Sequence, residues 1–303
     1  MRWTGFVAAA VIVSLAAGGA LAGQEAPKIR AFVSILPQSY FVQRVGGEHV
    51  QVSVMVGPGQ EPHTFEVTPR QMADLSDAQV YFTIGMPFET VLVKKIKGSI
   101  PNLKVVDTRQ GVKMRLITKD EGSGGPEPGE AAGEPDPHIW LDPKLVKVQA
   151  RTICDALASA DPAHTKEFEA NLASFDADLD AVDKRIAAAL APMKGREFFV
   201  YHPAFGYFAD AYGLKQVPVE LGGREPSARE LAGLIDRARA ERVRVIFVEP
   251  QFSTKGARSV AEAIGGVVIA MDDLSADYLK NLENMAAKVE GALSAGAEKA
   301  AGG

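Results

Sequence analysis

The segment from Ala163 to Leu190, AHTKEFEANLASFDADLDAVDKRIAAAL, contains neither glycine nor proline. It sets Phe168, Leu172, Phe175, Leu179, Val182, Ile186 and Leu190 at spacings of four and three. Only an α-helix brings such positions onto one face, so the run reads as one long amphipathic helix with a continuous apolar stripe. Asp161-Pro162 supplies its start signal and Met193-Lys194-Gly195 its stop. A stripe of this kind also suits a coiled-coil partner, but the flanking sequence offers a better mate. On both sides lie short β-rich runs: IRAFVSIL, VQVSVMV and AQVYFTIG before the helix, FFVYH, VRVIFVE and GVVIAMDD after it. Helix candidates such as PRQMADLSD, PAFGYFADAYG and ARELAGLIDRARAER stand between them. Apolar runs of this length, bounded by turn signals and separated by helices, indicate parallel strands in βαβ units. The predicted fold is α/β: two lobes with parallel sheets, residues 28–160 and 194–295, joined by one long rigid helix within 161–193. The apolar stripe can then pack along both.

The ends of the chain set the compartment. MRWTGFVAAAVIVSLAAGGALAG has one early charge at Arg2, an apolar run from about Phe6 to Leu15, and small residues at Ala20 and Ala22. That pattern reads as a secretory signal peptide, residues 1–22. The apolar run is short for a membrane span, which needs roughly 20 residues, and nothing later reaches that length. A soluble, exported protein in a periplasm-like space is expected. No cysteine stands near the cleavage site, which favours release over a lipid anchor, and the single Cys154 has no internal partner for a disulfide. The formal net charge is -5, a poor match to nucleic acid and a better one to cations or small solutes. Residues 118–137, rich in Gly, Glu and Pro, read as a mobile acidic surface loop.

The five histidines are not equivalent. His49 in GGEHVQ and His164 in DPAHTK read as solvated turn residues. His63 follows a strand in the loop GPGQEPHTFEVTP, His138 opens an ordered element after the acidic loop, and His202 ends the strand FFVYH. Asp272 and Asp273 close the strand GVVIAM. Ligands of open parallel sheets bind beyond the carboxyl ends of the strands, so these positions can meet in one interlobe cleft. Three imidazoles and a carboxylate make a tetrahedral shell for a transition metal. With all four places taken by protein, such a site sequesters metal rather than activating water.

The order EPHTFE, DPHIWLDP, VYHPAFGYFADAYG, VELGGREPSARE, IFVEPQFSTKGA and AMDDL, spread over roughly Lys28 to Leu293, resembles the periplasmic zinc- and manganese-binding proteins of ABC importers, the zinc-uptake members most of all. The resemblance implies a solute-binding protein rather than an enzyme. Such a protein captures Zn2+, with Mn2+ the alternative, and delivers it as a monomer to a membrane permease. It implies His63, His138, His202 and Asp272 as the metal ligands. Manganese-preferring relatives tend to carry glutamate at the third position, so His202 points to zinc, as the affinity of imidazole for zinc would have it. Relatives often read Asp-Pro-Leu where this chain reads Asp272-Asp273-Leu274, which leaves both aspartates in play. Their loop before the second ligand is often histidine-rich as well as acidic, whereas here it holds acids but no histidine. Glu61 is a candidate additional ligand, and Glu220 and Glu249 are candidate acceptors for imidazole N–H groups. Trp140, Phe65, Tyr201 and Phe205 are candidate shields against water. The reading from another class is an exported zinc hydrolase, which would need a free coordination position.

Overall fold

A computed structural model describes residues 28–117, 135–220 and 227–301, with the backbone alone from 295 onward. The expected leader and nearly all of the acidic loop lie outside the described residues. The first sheet is built from β1 (Ile29–Val33), β2 (Val50–Val54), β3 (Val80–Thr83) and β4 (Lys104–Asp107), all parallel, in the order β2-β1-β3-β4. Its crossovers carry α1 (Leu36–Gly46), α2 (Pro69–Ser76) and α3 (Pro87–Ser99). Two antiparallel-connected helices follow, α4 (Pro143–Ala160) and α5 (Thr165–Leu190). The second sheet repeats the plan of the first. Strands β5 (Glu197–Val200), β6 (Lys215–Pro218), β7 (Val245–Val248) and β8 (Val267–Ala270) pair in parallel in the order β6-β5-β7-β8, with α6 (Gly206–Tyr212), α7 (Ala228–Ala240) and α8 (Lys255–Ala263) between them. The last helix, α9 (Tyr278–Ala301), returns across the molecule to lie on α5.

Local chemistry explains the boundaries. Thr68 and Ser227 close capping boxes with Gln71 and Glu230 at the starts of α2 and α7, satisfying N–H groups that the first helical turn leaves free. Asp142 caps α4 by accepting from Lys144 N–H, with Pro143 as the first helical residue, where a missing N–H costs nothing. Each apolar run read as a strand continues past its ladder into the following loop. Two of these extensions end at the cavity: the one after β5 carries His202 and the one after β8 carries Asp273.

The stripe of α5 is fully used: Phe168, Leu172, Phe175, Leu179, Val182, Ile186 and Leu190 are each at most 1% exposed. Burying a side chain of this size contributes about 1.5–3 kcal/mol. Phe175 packs on Tyr40 and Phe41 of α1, and Tyr278 at the start of α9 meets Phe41 edge-on at 4.8 Å. One apolar core therefore runs from the first sheet through α4 and α5 to Phe198, Val200 and Phe205 beside the second sheet. The expected linking helix is thus half of an α4–α5 pair. A smaller cluster, with Phe199, Val217 and Ile246, fills the other face of the second sheet.

Candidate metal site

The carboxyl ends of the two sheets hold the residues that the sequence singled out. His63 lies in the loop between β2 and α2. The Glu61 carboxylate accepts from His63 N–H, Thr64 N–H and the Thr64 hydroxyl, at 2.7, 2.7 and 2.6 Å. Glu61 therefore builds the turn that presents His63, and its oxygens are engaged in doing so.

His138 is held from behind. Asp136, fully buried, accepts from both His138 N–H at 3.0 Å and His138 Nδ1 at 2.7 Å through Oδ1, and from Arg115 Nη1 at 2.8 Å through Oδ2. Arg115 also pairs with Asp210 at 3.0 Å. The segment is stitched in place by Asp136 N–H donating to Arg115 O and by the Tyr207 hydroxyl donating to Asp136 O. Gly206 permits this packing, since a Cβ there would collide with the Arg115 guanidinium and the Asp136 carboxylate. Burial works against the charged form of Asp136, but His138 and Arg115 outweigh it and hold the carboxyl below its usual range. Trp140, also fully buried, packs on His138 at 5.1 Å and donates its indole N–H to the carbonyl of Asp273 at 2.7 Å.

His202 ends the run that starts with β5, and Pro203 opens the 3-10 turn after it. Its Nδ1 lies 3.1 Å from Glu220 Oε1, and Phe252 stacks on its ring at 4.9 Å and 23°. Donation from Nδ1 to a carboxylate fixes the tautomer and leaves Nε2 bare. This holds for His138 through Asp136 and for His202 through Glu220.

The three rings converge. His138 Nε2 lies 3.3 Å from His63 Nε2 and 3.4 Å from His202 Nε2, and one nitrogen of each ring falls within 4.8 Å of the others. Two imidazole nitrogens bound to one tetrahedral zinc at about 2.0–2.1 Å stand roughly 3.3–3.4 Å apart. Burial first, then the neighbouring rings of His138 and His202, push His63 down to about 2, so this imidazole stays neutral with a lone pair to offer. The rings face a cavity of about 10 Å³, walled also by Glu61, Pro62, Met86, Trp140, Gln251, Phe252, Asp273 and Leu274. That is about the room that a single water-sized sphere needs.

The two aspartates separate clearly. Asp272 Oδ1 accepts from Leu274 N–H at 2.9 Å and Gln251 Nε2 at 3.4 Å, and its carbonyl accepts from Asn281 at 2.6 Å. Asp272 thus shapes the turn after β8 and does not line the cavity. Asp273 is on that wall, 7% exposed. Burial, with the charge of Asp272 next, lifts its carboxyl to about 7. Among the described residues, no carboxylate oxygen joins the three nitrogens at the 4.8 Å span.

Of the expected acceptors, Glu220 serves His202, whereas no imidazole nitrogen among the described residues bonds to Glu249. Glu249 is instead a buried acid that its surroundings, and then Asp273, push well above the carboxylate range. Phe65 and Phe205 belong to packing elsewhere. The sequence reading did not assign Asp136, Met86, Gln251 or Phe252 to the site. Asp136 carried a readable signal, a carboxylate two residues ahead of a candidate ligand; the others are visible only once the loops are folded.

The family model described as zinc-uptake complex component A, periplasmic, matches residues 32–292. The chain belongs to this family. Among zinc-uptake relatives, the high-affinity zinc uptake system protein ZnuA of Bacillus subtilis (strain 168) is 29% identical over 283 residues, covering 90% of this chain and 89% of the relative. The zinc-binding lipoprotein AdcA of Streptococcus pneumoniae (serotype 4) is 29% identical over 276 residues, and the match spans 55% of its length. A crystal structure of ZnuA superposes with a TM-score of 0.81 at 41% identity, covering 88% of this chain and 99% of the other. A laminin-binding protein of Streptococcus agalactiae, described as having adhesin and metal-transporting activity, shares the fold at a TM-score of 0.77 and 22% identity. The zinc-uptake fold of two four-stranded parallel sheets with a long helix is therefore the fold of this chain.

Proposed function

We propose that the protein is the periplasmic solute-binding component of a zinc importer. It takes up Zn2+ through His63, His138 and His202, with Asp273 as the nearby carboxylate, and hands the ion to an ABC-type permease. The zinc-uptake system of the matching family and of the Bacillus subtilis relative supports the cargo and the importer. The observation that carries the reading is the meeting of three imidazole nitrogens around a space of ionic size, with two of the rings held on their far side by buried carboxylates. Imidazole suits zinc better than manganese, whose preference runs to carboxylate oxygens. A hydrolase reading would need an open coordination position for water beside the metal, and the zinc-uptake family favours capture without turnover. Export through a leader ending near Ala22, and action as a single copy, complete the proposal.

The test is chelator competition of the metal-free protein with Zn2+ and Mn2+. The parent should prefer zinc, and His63→Ala, His138→Ala and His202→Ala should each lose tight binding. His202→Glu should narrow the preference. Unchanged zinc affinity in any of the alanine variants would remove that residue from the site, and in all three it would remove the reading.

A further inference from the structure

His49 and His164, both expected to be solvated turn residues, are stacked on each other in the structure. Their ring centroids are 3.9 Å apart at 22°. His49 closes the 3-10 turn ahead of β2 and His164 the one ahead of α5. Because β2 begins at Val50 and the zinc cavity lies beyond its carboxyl end, this pair sits at the opposite edge of the first sheet. Each ring has its own carboxylate: His49 Nε2 lies 2.7 Å from Glu167 Oε2, and His164 Nδ1 lies 2.6 Å from Asp161 Oδ2. Phe168, fully buried, abuts the His49 ring edge-on at 5.8 Å. The His49 side chain keeps 15% of its surface exposed and that of His164 29%, while Glu167 keeps 59%. One nitrogen from each ring and a Glu167 oxygen fall within 4.8 Å of one another.

We propose that His49, His164 and Glu167 form a second, solvent-accessible metal site for Zn2+ or a similar divalent cation that takes imidazole and carboxylate ligands. Two imidazoles and a carboxylate are a donor set that zinc accepts, with water completing the shell. Asp161 accepts a hydrogen bond from His164 Nδ1–H, which leaves Nε2 bare, the arrangement that supports a metal-ligating histidine. The hydrogen bond between His49 Nε2 and Glu167 spans the place a cation would take, so binding replaces that bond with two metal–ligand bonds. Geometry also ranks the two sites. In the cavity the ring centroids stand 4.8 to 5.3 Å apart, as rings spread around one ion do, against 3.9 Å here. The stacked pair must therefore open by about 1 Å to share an ion in tetrahedral geometry. The surface site is accordingly the weaker, and when filled it ties the turn ahead of β2 to the start of α5.

Equilibrium dialysis of the metal-free full chain against Zn2+ alone, with metal counted per protein, tests this independently of the cavity. The parent should bind two equivalents, one tight and one weak. His49→Ala combined with His164→Ala should keep the tight equivalent and lose the weak one, and His63→Ala combined with His202→Ala should do the reverse. Glu167→Gln, a change at an exposed side chain, covers the case in which the double variant fails to fold; it should weaken the second equivalent roughly tenfold or more. A parent that binds only one equivalent overturns the proposal. So does a weak equivalent that survives in the folded His49/His164 variant or is unaltered in Glu167→Gln.

Discussion

Replacing Asp136 by asparagine tests whether the buried carboxylate behind His138 sets zinc affinity. The side chain keeps its shape, but its two oxygens have different clients: Oδ1 accepts two N–H groups of His138 and Oδ2 accepts the Arg115 guanidinium. With the amide oxygen toward His138, the NH2 faces a guanidinium donor; flipped, it faces the two donors of His138. No orientation satisfies both sides. Loss of such a supporting group costs about 10–100-fold in metal affinity, or roughly 1.4–2.7 kcal/mol. Asp136→Asn should fall near the lower figure, because one orientation still accepts from Nδ1, and Asp136→Ala near the upper. The metal-free fold should lose about 1–3 kcal/mol, as expected for a buried donor left without its acceptor. Asp136 also bears on acid sensitivity. Its carboxyl lies below the usual range in the folded protein, so the stability it contributes is present above about pH 4 and lost as pH falls through the folded value. Chelator competition at neutral pH, paired with urea unfolding of the metal-free protein, measures both effects. Zinc affinity within about twofold of the parent, in an Asp136→Asn variant that remains folded, would refute the argument.

Asp273 gives the opposite sign. Its carboxyl is raised to about 7, so the folded metal-free protein keeps a proton that the unfolded chain gives up near pH 4. Stability should fall as pH rises from about 4 to 7, by at most about 4 kcal/mol from this group; Asp273→Asn should flatten that slope in urea unfolding, and an identical slope in the variant would contradict it. Trp140→Phe removes the hydrogen bond to the carbonyl of Asp273 and leaves a buried acceptor unpaired, for about 1–3 kcal/mol, together with weaker zinc binding in the same competition assay. Phe175→Ala empties a fully buried position shared by α5 and α1 and should cost about 3–5 kcal/mol by thermal or urea unfolding, leaving zinc affinity in the folded fraction intact.

What could be read from the sequence follows what physical periodicity encodes. The stripe of α5 was legible residue by residue, because an uninterrupted spacing of four and three admits one geometry. Six of the eight strands among the described residues stood out as apolar runs. β4, KVVD, and β6, KQVP, did not: both lie at or toward a sheet edge, and their charged, polar and proline residues dilute the pattern, as edge strands commonly do. α4 was missed as a partner of α5 because a helix pair needs the facing surface as well as the stripe. At the site, position alone made the three histidines candidates, since parallel sheets gather their loops at one edge, and only the family resemblance joined them into one ligand set. Asp272 and Asp273 could not be told apart. Adjacent residues beyond a strand point in different directions, and which one faces inward depends on Asn281 and Trp140 holding the carbonyls of Asp272 and Asp273 and on Leu274 N–H holding the Asp272 carboxylate. The pairing of His49 with His164 was equally hidden, because the two residues are distant in sequence and meet only when β2 and α5 are packed.

The three rings of the cavity are held unequally, and this orders how the site opens. His138 is gripped by Asp136, packed on Trp140 and tied through Arg115 to Asp210 beside the second sheet. His202 is gripped by Glu220 and covered by Phe252. For His63, no partner among the described residues holds Nδ1, and the ring is carried by a turn whose hydrogen bonds are local, from Glu61 to His63 and Thr64. A ring fixed on its far side loses little freedom on binding an ion, and a ring fixed only at its backbone loses more. In the proposed site His63 is therefore the ligand expected to be ordered on capture and to leave first on release. In the proposed site His138, backed by Asp136, Arg115 and Tyr207, and His202, backed by Glu220, would then stay together as the platform for the ion.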